Sequence, residues 1–204
     1  ATDSFGKIAI PDNALRGAQT QRSLKHFNIG RHQFDSRFIK ALVGIKSSCA
    51  QANRELGLLE DELWEAIMTG CDAILKGHHC EQFPLHVWQT GSGTQTNMNV
   101  NEVISSLANA YLGEASDEGS AKQRIVHPND HVNMSQSSND IFPSAMHLVV
   151  AQLTHETLFK SLDKLETELA QKQVEFNEIY TVGRTHLMDA LPLTVGAILS
   201  AFRV

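Results

Sequence analysis

Three stretches of the 204-residue chain gather hydroxyl, amide and imidazole groups at what read as the mouths of helices. Thr90-Gly91-Ser92-Gly93-Thr94-Gln95-Thr96-Asn97 stands before a helix expected from about Met98. Ser135-Gln136-Ser137-Ser138-Asn139 stands before a long helix, and Gly183-Arg184-Thr185-His186 before a helix expected to open at Asp189 and Pro192. The first turn of a helix carries backbone N–H groups without intrahelical partners and the positive end of the helix dipole, so such ends bind anions. Taken singly, each run reads first as a helix cap, for which one Ser, Thr or Asn suffices. Taken together they hold more hydroxyls and amides than capping uses, and the glycines of Gly91-Ser92-Gly93 would let a ligand approach the backbone. The chemistry this suggests is an enzyme acting on a small carboxylated substrate. His186 offers a group able to move a proton near neutral pH, although a loop histidine reads equally well as a surface or capping residue. Cys71 and Cys80 with His78 and His79 are conceivable as a metal site, but their spacing fits no compact zinc pattern. The alternative is two small core residues beside a polar helix end, and no metal is expected there.

The elements that must hold these loops are mainly helical. Phe38, Ile39, Leu42, Ile45 and Cys49 recur at helical spacing after a cap at Asp35 or Ser36, and Gly57 closes that helix. A second helix runs from about Glu60 to Gly77 on Leu63, Ile67, Cys71 and Ile74. A third is expected over Met98–Leu112. Residues 1 to 34 read as irregular, 83 to 90 as able to hold a short strand, and 113 to 134 as a connecting loop. After Asn139-Asp140, with Pro143 tolerated in its first turn, a helix of about 35 residues is expected. Its later part puts Leu158, Leu162, Leu165, Leu169 and Phe176 on a heptad seam. A last helix is expected from about Pro192. The division expected is an N-terminal, mixed but mostly helical domain over 1–134 and the first long helices of a central bundle over 135–204.

Composition narrows the function. Hydrophobic residues make up 42% and charged residues 20%, and the net charge is −6. Such a chain has no basic field for nucleic acid or acidic lipid, and no apolar run of membrane-spanning length interrupts it. With an odd number of cysteines in helix-like sequence, it reads as cytoplasmic.

Four segments carry a resemblance to a known family: GAQTQRS (17–23), FPLHVWQTGSGTQTNMNVNEVI (83–104), RIVHPNDHVNMSQSSNDIFPSAMH (124–147) and GRTHLMDALPLTVG (183–196). In these segments the chain resembles the fumarase and aspartase superfamily, and within it the class II fumarases. Aspartases differ in the GSGTQ loop and in having Gln where this chain has His186. The resemblance implies reversible hydration of fumarate to L-malate, a tricarboxylic acid cycle step, in a cytoplasmic homotetramer that uses no cofactor. It implies that Ser92, Gly93, Thr94, Ser137, Ser138, Asn139 and Thr185 bind the dicarboxylate and that His186 is catalytic. It also implies a second dicarboxylate site at Arg124, His127, Pro128, Asn129 and Asp130, a segment that read locally is equally a good turn.

The chain departs from the family pattern at Met188, Leu191 and Ala197-Ile198, where the family has Gln, Thr and Gln-Glu. The family's later Gly-Ser-Ser-x-x-x-x-Gly-Lys loop, with its base serine and substrate lysine, is not among these 204 residues. The stretch is therefore expected to be an incomplete portion, inactive by itself. The alternatives are an aspartase-type ammonia lyase and a non-catalytic dicarboxylate-binding or assembly module.

Overall fold

The computed structural model describes residues 1–3, 5–115 and 126–203. They group into two compact units, Ala1–Val149 and Val150–Val204, and each is described by itself.

In the first unit, α2 (Ser36–Glu55), α3 (Asp61–Leu75) and α4 (Thr94–Ala115) form the core. Asp35 caps α2 by accepting the N–H of Arg37 at 2.8 Å. The Arg37 side chain also donates to it, and these bonds hold the Asp35 carboxyl at about 2. Gly57 and Gly77, both at positive φ, follow α2 and α3 where the periodicity stops. Leu42, Val43, Ala66, Ile67, Cys71, Val100, Val103 and Ile104 are fully enclosed between the three helices. Gly70 lets α3 approach α4 closely, since a Cβ there would stand 3.1 Å from the Ile104 carbonyl oxygen.

Four expectations need correction here. Residues 1 to 34 contain α1 (Ala18–His26) and a short antiparallel pair, β1 (Thr2–Asp3) and β2 (Gly6–Lys7). The start of α1 carries no local signal because its cap is supplied from α4. The N–H groups of Gly17, Gln19 and Thr20 and the Thr20 hydroxyl donate to the buried Glu102 carboxylate at 2.9, 2.8, 3.1 and 2.5 Å. Gly17 leaves room for that approach, as a Cβ there would lie 2.7 Å from Glu102 Oε1 and the carboxylate would have to shift. Secondly, residues 83 to 90 form no named strand; they follow a 3₁₀ turn, Cys80–Gln82, and hold one isolated bridge, between Gln33 and His86. Thirdly, Cys80 is exposed rather than in the core, whereas Cys71 is buried. Fourthly, α4 begins at Thr94, four residues before Met98, and runs on to Ala115. Of the loop expected from 113 to 134, only 126–134 lies beyond α4 among the described residues, and Pro128–Val132 is a π-helical turn.

α5 (Ser138–Leu153) packs onto this unit through Ile141, Phe142 and Ala145. The Phe142 ring stands edge-on to Phe34 and Phe38, with centroids 5.6 and 4.9 Å away.

In the second unit, a π turn (Thr154–Leu158) leads into α6 (Phe159–Glu175). The heptad seam lies mostly open: Leu158, Leu162 and Leu165 are exposed, while Leu169 and Phe176 are half-buried. The helix expected to open at Asp189 and Pro192 is replaced by an antiparallel hairpin, β3 (Tyr180–Thr185) and β4 (Met188–Thr194). Helix α7 (Val195–Ser200) begins only after it, capped by Thr194, whose hydroxyl accepts the Ala197 N–H at 3.0 Å. Arg203 donates to Glu166 and Gln173, tying the end of α7 to α6. Among the described residues no helix is long and apolar enough to cross a membrane.

Candidate active site

The first two loops meet. Gly93, at φ 69, lies so close to the Phe142 ring that a Cβ there would stand 2.3 Å from its carbon atoms. This contact brings the start of α4 against the start of α5. The Thr94 and Ser138 hydroxyls, 44 residues apart in sequence, are then 3.2 Å apart. They end a chain of hydroxyls in which Thr90 faces Ser92 at 3.1 Å and Ser92 faces Thr94 at 3.0 Å.

Capping does not account for these groups. At α4 it is Gln89 that accepts the Thr96 N–H at 3.0 Å and donates back to the Thr96 hydroxyl at 2.8 Å. At α5 it is Ser137, whose hydroxyl receives the Asn139 N–H at 3.3 Å and whose carbonyl accepts from Asp140 and Ile141. With those roles filled, the Ser92, Thr94 and Ser138 hydroxyls are left over at two helix N-termini, beside the backbone of Gly93. Converging donors and two dipole ends suit one carboxylate.

The third loop belongs to the second unit, and its conformation corrects the expectation of a helix mouth. His186 and Leu187 are the two-residue turn of the hairpin, both at positive φ (53° and 61°), as a tight turn between twisted strands demands. Asp189 caps no helix; it pairs with Arg184 across the turn at 2.9 Å. Pro192 lies in β4 opposite Val182, where a two-stranded ribbon has no further strand to miss its N–H. The His186 ring nitrogen Nδ1 is 2.8 Å from the Thr185 hydroxyl, and the turn stands out from its own unit, with Leu187 fully exposed. Thr185 and His186 are therefore presented together at a tip. Met188 is paired with Thr185 and Leu191 with Gly183 in the same ribbon.

Of the expected second site, Arg124 lies outside the described residues. His127 caps the π turn, its Nδ1 being 3.2 Å from the Asp130 nitrogen and 3.0 Å from the Asp130 carboxylate, while its own N–H donates to His131 at 2.8 Å. Pro128 and Asn129 border a cleft of about 430 Å³ shared with Gly17, Gln19, Met98 and Glu102. Among the described residues no three His, Cys, Asp or Glu side chains gather as a metal-binding group.

Two residues missed in the sequence shape this site. Gln89 and Phe142 lie in the family-like segments, but nothing in their local pattern shows that one caps α4 and the other carries Gly93.

Residues 6–204 of the chain that folds this way match the family model described as "Lyase", and the chain belongs to that family. Over part of their length it is similar to class II fumarate hydratases. It is 48% identical over 200 residues to a class II fumarate hydratase of Nitrosomonas europaea, covering 98% of this chain and 42% of that protein. It is 50% identical over 201 residues to one of Chromobacterium violaceum, covering 98% and 43%. Among solved structures, a class II fumarase from Schistosoma mansoni superposes with a TM-score of 0.86 at 45% identity, over 99% of this chain and 42% of that one. A fumarate lyase:delta crystallin from Brucella melitensis gives 0.86 at 37% identity, over 100% and 46%. The chain thus spans less than half the length of these relatives.

Proposed function

We propose that this chain supplies part of the active site of a fumarate hydratase, which adds water across the double bond of fumarate to give L-malate. The observation that carries the reading is the 3.2 Å meeting of the Thr94 and Ser138 hydroxyls where α4 and α5 begin, after Gln89 and Ser137 have satisfied the caps. One carboxylate of the substrate binds there to Ser92, Gly93, Thr94, Ser137, Ser138 and Asn139. In the direction of dehydration, a base removes the C3 proton of malate, the charge spreads into the adjacent carboxylate, and hydroxide leaves from C2. Preorganised donors around that carboxylate stabilise the charge as it develops. Thr185 contributes to binding and His186 exchanges the proton with the water; their 2.8 Å contact at an exposed tip supports a unit completed against other parts of the enzyme. A homotetramer with a bundle domain from about residue 135, a cytoplasmic location and a role in the tricarboxylic acid cycle go with this reading, as does a second dicarboxylate site of Arg124, His127, Pro128, Asn129 and Asp130.

The test is loss of fumarate absorbance with the full-length gene product, run with water alone and with ammonium added. Malate formation without aspartate is expected. Aspartate as the main product, or no consumption of fumarate, overturns the reading.

A further inference from the structure

The first unit encloses a lysine completely. Lys46 on α2 has no exposed surface, and among the described residues no carboxylate pairs with it. Its ammonium donates to two amide oxygens, Asn133 Oδ1 at 3.2 Å and Gln136 Oε1 at 3.0 Å. Burying a cation without a counter-charge is costly, and a packed apolar side chain of similar size is often neutral or better for stability. Packing alone therefore does not explain an amine at this place.

What the amine does hold is the approach to the second loop. Gln136 immediately precedes Ser137, Ser138 and Asn139. Asn133 Oδ1 also accepts from Asn97 and Asn101 of α4, at 3.0 and 3.2 Å, so one oxygen joins α2, α4 and the loop. Two turns beyond Lys46, Asn53 donates to the Met134 carbonyl at 3.1 Å and accepts the Ser135 hydroxyl at 3.0 Å. Ser135 itself has a φ of 61°, a backbone state a non-glycine residue keeps only when its surroundings enforce it. The Oδ1 atoms of Asn97 and Asn101 are buried without a protein partner, so the setting around this ammonium is rich in acceptors.

We propose that Lys46 is a positioning residue for the dicarboxylate site: through Gln136 and Asn133 its ammonium holds the backbone from which Ser137, Ser138 and Asn139 meet the ligand, in register with Thr94. The proposal rests on the reading of these loops as a dicarboxylate site. The groups that face Lys46 are the thiols of Cys49 on its own helix and Cys71 on α3; α4 and residues 133–136 bring amides. Burial brings Lys46 down to about 7, so the ammonium loses its charge, and its charge-assisted bonds weaken, in an accessible range.

The experiment uses the full-length gene product as wild type, Lys46→Met and Gln136→Leu, with two readouts. Hydrogen exchange followed by mass spectrometry should show the peptide covering 133–141 exchanging at least tenfold faster in both variants, with α3 peptides unchanged. The KM for fumarate should rise about tenfold in Lys46→Met while kcat stays within a few-fold, and the wild-type KM should rise between pH 7 and 8.5 where that of Lys46→Met is flat. Unchanged exchange over 133–141 overturns the proposal whether or not fumarate is a substrate. If wild type consumes no fumarate, the functional reading fails and the exchange result still decides the role of Lys46. If Lys46→Met does not fold, Gln136→Leu makes the same cut from the loop side, and normal exchange and KM in it overturn the proposal.

Discussion

Replacing Lys46 by Met should remove a specific pH dependence from the stability of the first unit. The Lys46 amine sits at about 7 in the folded chain against 10.5 when unperturbed, chiefly because burial disfavours its charge. The sign follows from proton counting. Between pH 7 and 10.5 the unfolded chain holds a proton that the folded chain has lost, so stability rises with pH there. Below pH 7 both states are protonated, and the cost of burying the charge is constant. At 1.36 kcal/mol per unit, the full difference of about 3.5 units corresponds to about 5 kcal/mol. Between pH 7 and 9, with the folded amine half protonated at the start, about 2 kcal/mol of that is recovered. The Cys71 thiol works in the opposite sense: burial raises it from 9.0 to about 12, so the folded state keeps a proton that the unfolded state loses above pH 9, and stability falls there. Cys71, and Cys49, whose thiol burial also raises, are present in wild type and Lys46→Met alike, so the difference between the two proteins isolates the amine. Trp64 and Trp88 are the only tryptophans and both lie in the first unit, so urea titrations followed by tryptophan fluorescence report on it. Wild type should gain about 2 kcal/mol from pH 7 to 9 relative to Lys46→Met. At pH 7 Lys46→Met should be the more stable of the two by roughly 2 kcal/mol, because relief of the buried charge, worth about 4 kcal/mol there, exceeds the about 1–3 kcal/mol for the orphaned Gln136 oxygen. Parallel curves, differing by less than about 0.5 kcal/mol in slope across the window, would refute the assignment of Lys46 as an unpaired buried cation.

Glu102→Ala should cost about 3 kcal/mol, since it orphans three amides at the start of α1, those of Gly17, Gln19 and Thr20, that now donate to a charged partner; hydrogen exchange should show α1 fraying while α3 stays protected. Gly93→Ala should lose about 2–4 kcal/mol, from the left-handed backbone and from collision with Phe142. Adding Phe142→Leu should restore only the steric part, and full rescue in urea titrations would show that the backbone term is absent. In the full-length enzyme, His186→Asn should lower kcat about 10²- to 10⁴-fold with a smaller change in KM, while His127→Asn stays within a few-fold; steady-state kinetics showing the reverse order would exchange the roles of the two histidines.

The helices α2 and α3 were legible because their starts and stops are local: Asp35 caps one, Gly57 and Gly77 close the pair, and Leu42, Ile67 and Cys71 repeat at 3.6-residue spacing toward one core. The family was legible too, because the four polar segments carry specific residues in order. By contrast, α1 was invisible, since its cap is Glu102, more than 80 residues away in the chain, and periodicity cannot see a partner that arrives by packing. The hairpin at 180–194 reads locally as a helix mouth because Asp189 and Pro192 are good helix openers in isolation. Pairing of Tyr180 with Thr194 and of Thr181 with Leu193 decides otherwise, and it puts His186 in a turn. Sequence alone determined which side chains could bind a carboxylate. Only the tertiary structure decided that Thr94 and Ser138 meet while Gln89 and Ser137 do the capping, because a hydroxyl's role depends on which donors and acceptors the packing of α4, α5 and Phe142 leaves beside it.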